Sequence, residues 1–245
     1  RAVVFDMDGT LTPNMHLHGQ AFDIFMQKYA IPTPDETIAA SLSGKRNSEI
    51  FPILFGRDLH AEELNRYADE KENLYFNPAL QSYVDSNYVE AIPKFNQYLS
   101  KFPNGKFSQD AHFYAGNACL RLKDTLAALP HYEAYLAGPT ASYFEPVAFK
   151  ISAYYYEKKN YESARIYYLK LEQYASKPNN INAAKIGLMR CEFLLKNYQG
   201  ANNYAKQVRE ISGLNQPLKV EAEYAYGMSA FYLNNYSTAE PSLRW

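Results

Sequence analysis

From Asn77 onward the apolar residues recur at helical spacing, and one short phrase returns five times. Its copies are Asn87-Tyr88-Val89-Glu90-Ala91-Ile92, Asp124-Thr125-Leu126-Ala127-Ala128-Leu129, Asn160-Tyr161-Glu162-Ser163-Ala164-Arg165, Asn197-Tyr198-Gln199-Gly200-Ala201-Asn202 and Asn235-Tyr236-Ser237-Thr238-Ala239-Glu240. The anchoring alanines stand 37, 36, 37 and 38 residues apart, a period that predicts stacked units, each burying its apolar face on the next. An aromatic follows the alanine by one helical turn in the first three copies (Phe95, Tyr132, Tyr168), which places both on one face. Twelve residues before each alanine stand Ala79, Gly116, Ser152, Met189 and Gly227, mostly small, so that a first helix can approach the second closely. The pattern predicts paired helices, about four and a half pairs in all, over residues 77–245.

Residues 1–76 follow another pattern. Val3, Val4 and Phe5 read as a short buried strand, with Gly9 permitting a sharp turn beyond its C-terminal end, where ligands of open α/β sheets bind. Two carboxylates at i and i+2 on such a strand end can divide the labour of phosphoryl transfer: Asp6 attacks phosphorus and holds Mg²⁺, and Asp8 shuttles the leaving-group proton. Composition marks the same break. Residues 1–76 carry seven Lys and Arg against twelve Asp and Glu, the remainder eighteen against fourteen, and 21 of the 23 tyrosines lie from Tyr75 onward. Neither charge balance is extreme, so neither nucleic acid nor an anionic membrane is implied as a partner. No apolar stretch approaches the roughly 20 residues of a membrane span.

The stretch Phe5-Asp6-Met7-Asp8-Gly9-Thr10-Leu11 resembles the first motif of the haloacid dehalogenase superfamily, in the branch of β-phosphoglucomutase and related small-molecule phosphatases. Met15 to about Glu72 looks like that branch's helical cap, with His18 and Phe22 beginning its first helix and Gly44-Lys45-Arg46-Asn47-Ser48-Glu49-Ile50 similar to its substrate-facing loop. The resemblance implies Asp6 as nucleophile, Asp8 as acid/base, Mg²⁺ as cofactor, and Lys45 or Arg46 at a substrate phosphate; the plainer reading of that basic pair is a solvated helix N-terminus. The family also needs a later Ser or Thr, a Lys and a further acidic pair on a parallel sheet. After the break only Asp85, Asp110 and Asp124 remain, each in a helical or helix-end context, and no βαβ pattern follows. Metal and Lys supply much of the transition-state stabilisation, so little phosphatase or mutase turnover is expected.

The repeats from residue 77 resemble tetratricopeptide repeats, with Pro103 near the family's terminal proline and the extra length expected in connections such as Phe102-Pro103-Asn104-Gly105-Lys106. The fold class expected is therefore mostly all-α: a helical solenoid preceded by one strand and a helical cap. The resemblance implies a concave groove for a protein or peptide partner, lined by Phe113, Asn117, Phe149, Tyr156, Ile186, Arg190, Tyr224, Met228 and Phe231. The alternative expectation is a Mg²⁺-dependent phosphatase or phosphoglucomutase-like enzyme. The first half suggests a cytoplasmic setting, while Tyr98 to Gly105 is similar to repeat proteins of the bacterial periplasm.

Smaller features add little chemistry. Cys119 and Cys191 read as buried thiols, and His60, His112 and His131 as scattered polar positions. Glu221 and Glu223 read as exposed surface. Glu72-Asn73-Leu74-Tyr75-Phe76 resembles the start of a protease site of the tobacco etch virus type; read otherwise, a cap helix runs from Leu59 into the array, with Asn77-Pro78 as a helix start. Both ends read as cut, and an uncovered last helix pair is expected to invite self-association.

Overall fold

The computed structural model describes residues 24–42, 45–139 and 141–244, and these form helices and connections with no strand among them. After a short helical stretch at residues 24–28 come α1 (Glu36–Leu42), α2 (Asn47–Phe55), α3 (Ala61–Val84), α4 (Tyr88–Lys101), α5 (Ser108–Arg121) and α6 (Thr125–Ala137). Then follow α7 (Phe144–Glu157), α8 (Tyr161–Tyr174), α9 (Pro178–Leu194), α10 (Tyr198–Arg209), α11 (Gln216–Tyr232) and α12 (Tyr236–Leu243). The strand expected at Val3 to Phe5, the turn at Asp6 to Thr10 and the helix start at His18 and Phe22 lie outside the described residues. The chain divides into two compact units, residues 1–131 and 132–245.

In the first unit, α2 and the N-terminal half of α3 close over an aromatic cluster built on buried Phe25, Phe51 and Tyr67. The Tyr67 ring stacks on Phe55 at 4.5 Å and meets Phe25 edge-on at 5.8 Å, the geometries that aromatic quadrupoles favour. α3 then continues without interruption through Glu72 to Phe76, so the resemblance to a protease site falls on buried helix, and Asn77-Pro78 is not a helix start. A proline inside a helix costs about 3 kcal/mol. Burial of Tyr75, Phe76 and Ala79 against the following pair offsets it, with the Phe76 ring stacked on Phe107 at 4.7 Å. The domain boundary expected at residue 76 therefore lies within one helix.

A buried polar contact ties the same helix to the next pair. The Tyr98 hydroxyl donates to the Glu72 carboxylate and accepts the Phe107 backbone N–H at 3.0 Å. Burial, then the Glu72 hydrogen bond, pushes the Tyr98 phenol far above its ordinary range. Gly105 makes this approach possible: a Cβ there would sit 2.7 Å from the Tyr98 hydroxyl and collide with Glu72 as well.

The repeat seen in sequence is a repeat of turns. Each of the connections α3–α4, α5–α6, α7–α8, α9–α10 and α11–α12 is three residues long. The central residues, Ser86, Lys123, Lys159, Lys196 and Asn234, all have left-handed φ between 58 and 64°. In every case the next residue's N–H reaches back five positions: Asn87 to Ser82, Asp124 to Cys119, Asn160 to Tyr155, Asn197 to Glu192 and Asn235 to Ala230, at 2.8–2.9 Å. The left-handed residue itself bonds three positions back, completing a Schellman closure. The Asn or Asp that ends the turn then starts the next helix. Its Oδ1 accepts the N–H of Ala127, Ser163, Gly200 or Thr238 in four copies, at 3.0–3.4 Å. In the first copy the Asn87 amide instead donates to Glu90.

The alanines at 91, 128, 164, 201 and 239 are all buried, as are Phe95, Tyr132, Tyr168 and the small residues twelve positions upstream. Consecutive helices α7 to α12 in the second unit pack as neighbouring pairs, and α9 also touches α7 and α11. This arrangement is compatible with a helical solenoid. Cys119 and Cys191 are buried free thiols, as expected. Among the described residues no helix is long and apolar enough to cross a membrane.

Candidate binding surface

In the second unit the first helices of successive pairs, α7, α9 and α11, lie side by side. Helical periodicity brings Phe149 and Tyr156 of α7 onto one face, Ile186 and Arg190 of α9 onto another, and Val220, Tyr224 and Phe231 of α11 onto a third. A polar contact joins the last two of these faces. Arg190 donates to Glu221 through Nε at 2.6 Å and through a terminal nitrogen at 2.7 Å, a two-pronged pair that bridges α9 and α11. The Glu221 hydrogen bond holds the Arg190 guanidinium above its ordinary range. Burial raises the Tyr156 phenol, while the Arg190 charge opposes that rise.

Around this fixed charge pair the aromatics are open to solvent. Phe149 is 44 % exposed, Tyr224 52 % and Phe231 47 %. Tyr224 leans on Phe193 at 6.0 Å between centroids, and Phe231 on Tyr236 at 5.6 Å, so both rings are partly held. Tyr156 touches Tyr161 at 5.6 Å and is half-buried, as is Met228. Ile186 is half-buried and packs against the core of Met189, Val208 and Ala222.

The other expected residues belong to the part of the chain before Tyr132. Phe113 and Asn117 belong to α5 of the first unit, where both are half-buried and the Phe113 ring meets Tyr114 at 5.3 Å. Lys45 and Arg46 are exposed, with Arg46 at the cap position of α2 and its N–H bonded to Glu49. Asp6 and Asp8, with the Mg²⁺ they would ligate, lie outside the described residues. The α9–α10 pair also carries an open cleft of about 420 Å³ lined by Asn182, Lys185, Gln207 and Glu210, polar and without an aromatic wall.

Glu221 and Glu223, expected as exposed surface, are each half-buried and paired with an arginine. Residues at i and i+2 of a helix point about 200° apart. Glu221 accordingly turns to Arg190, and Glu223 turns the other way to Arg209, whose Nε donates to it at 2.6 Å. That angular separation was a signal available in the sequence; the identity of the partners was not. No protein-family model matches the chain.

Proposed function

We propose that this chain is a helical-repeat scaffold of tetratricopeptide type that binds a protein or peptide partner across α7, α9 and α11. The observation that carries the reading is the row of exposed Phe149, Tyr224 and Phe231 around the Arg190–Glu221 pair. The pair is already internally neutralised, so the surface favours an extended segment with apolar or aromatic anchors over a strongly charged one. Rigid aromatics held at one edge provide contact area at small entropic cost. The N-terminal part keeps its resemblance to the haloacid dehalogenase first motif and cap, with little turnover expected from it.

A peptide-display selection on the immobilised full chain tests the scaffold. Enriched sequences should carry hydrophobic or aromatic anchors and lose binding at least tenfold to a Tyr224→Ser/Phe231→Ser variant of unchanged helicity. Enrichment that survives this variant would refute the assignment of the surface. The enzymatic alternative gains support if Mg²⁺-dependent hydrolysis of p-nitrophenyl phosphate is abolished by Asp6→Asn.

A further inference from the structure

His112 on α5 and His131 on α6 are 19 residues apart and carry no spacing motif, which is why the sequence reads as two unrelated polar positions. The structure brings them together. Their Nδ1 atoms stand 3.2 Å apart, with ring centroids at 5.5 Å and planes tilted by 51°. Both rings are half-buried, and both belong to the first unit. At this distance one ring donates its Nδ1 proton to the lone pair of the other.

We propose that His112 and His131 form a two-imidazole chelate for a divalent transition metal, which takes the place of the shared proton. Metal–imidazole bonds are about 2.0–2.1 Å long, so two nitrogens 3.2 Å apart subtend roughly 100° at an ion bound to both. That lies between the angles of cis square-planar and tetrahedral coordination, so the nitrogen spacing suits a shared ion once the rings turn to aim both lone pairs at it. Imidazole nitrogen selects Cu²⁺, Ni²⁺ and Zn²⁺ over Mg²⁺ and Ca²⁺. Among the described residues no group of three or more His, Cys, Asp or Glu is placed to hold an ion, so water completes the shell. Burial lowers both imidazoles, His112 to about 4 with the neighbouring His131 adding to the effect. On binding, the donor ring moves its proton from Nδ1 to its own Nε2 through solvent. The other ring already carries its proton there, and no net proton is released.

The site is independent of the repeat-face reading and of Asp6 and Asp8. The test uses the full chain with His16, His18 and His60 changed to Ala, so that any imidazole binding left belongs to the pair. Titration with Cu²⁺ followed by electron paramagnetic resonance should show one ion per chain with two nitrogen ligands, Zn²⁺ should compete, and Mg²⁺ should not. Adding His131→Gln should reduce the nitrogen count to one and weaken Cu²⁺ at least tenfold, with circular dichroism confirming the fold. Calorimetry in buffers of different ionisation enthalpy should give near-zero proton release at pH 7.5. Cu²⁺ binding equally tight in the His131→Gln chain, or a single-nitrogen signal before that change, overturns the proposal.

Discussion

Gly187, in the middle of α9, sets two effects of opposite sign against one another. Replacing an interior helical glycine by alanine normally stabilises by about 1 kcal/mol, because glycine loses more backbone freedom on folding. Here the added Cβ would lie within 2.5 Å of Tyr168 Cε1 and Cε2, where an ordinary carbon–carbon contact is about 3.5–4.0 Å. An overlap of about 1 Å cannot be absorbed by rotating the ring, which is buried in close-packed surroundings. Overpacking of this kind costs about 1–3 kcal/mol, and a shift this large belongs at the upper end. Gly187→Ala is therefore expected to destabilise by about 2 kcal/mol net, lowering Tm by roughly 4–8 °C for a chain of this size. Urea unfolding followed by circular dichroism should show a lower midpoint at unchanged slope. In the double variant with Tyr168→Leu the cost should be less than the sum of the single changes by more than 1 kcal/mol. A raised midpoint for Gly187→Ala alone would refute this reasoning, since α9 and α8 would then stand further apart than described.

Three further outcomes follow from features already described. Lys196 holds a left-handed φ of 61°, which costs a side-chain-bearing residue roughly 1 kcal/mol, so Lys196→Gly should stabilise by about 0.5–1 kcal/mol and raise the urea midpoint; an unchanged or lower midpoint would contradict it. Tyr98→Phe removes the buried donor to Glu72 and should cost about 2 kcal/mol, read as a lower midpoint, whereas Tyr88→Phe, whose hydroxyl meets Ser86 Oγ at 3.4 Å in an exposed contact, should not. Glu145 is held down at about 2 by the Ser176 backbone N–H, then the Asn180 amide and the Ser176 hydroxyl. A carboxylate with a depressed folded-state pKa contributes stability above its ordinary 4.5 and loses it as pH falls toward 2. Glu145→Gln should thus flatten the Tm-versus-pH curve between those limits and leave its slope near neutrality unchanged.

The helical architecture was legible because it is written in local chemistry. The spacing of the alanines reports the packing of one helix on its partner, and the Asn or Asp opening each phrase is both the end of one turn and the cap of the next helix. The continuity of α3 was not legible, because Pro78 signals a start and only the burial of Tyr75, Phe76 and Ala79 overrules it. Long-range partners were hidden for a related reason. Arg190 and Glu221, or His112 and His131, are joined by how one helix is placed on another, and no spacing within a helix records that placement. Of the proposed surface, the sequence indicated the aromatics on α7 and α11 and the position of Arg190, while it missed that the arginine is already occupied.

The five left-handed turns have a consequence for how such a chain can grow. Each closes through backbone bonds and an Asn or Asp within its own few residues, owing nothing to contacts elsewhere in the fold. A segment copied in tandem at the 36–38-residue period would arrive with its own corner already formed and with matching faces to lay against its neighbours. Lengthening or shortening by whole units is in that sense an inexpensive mutation, and selection can adjust the span of the array without redesigning any one joint.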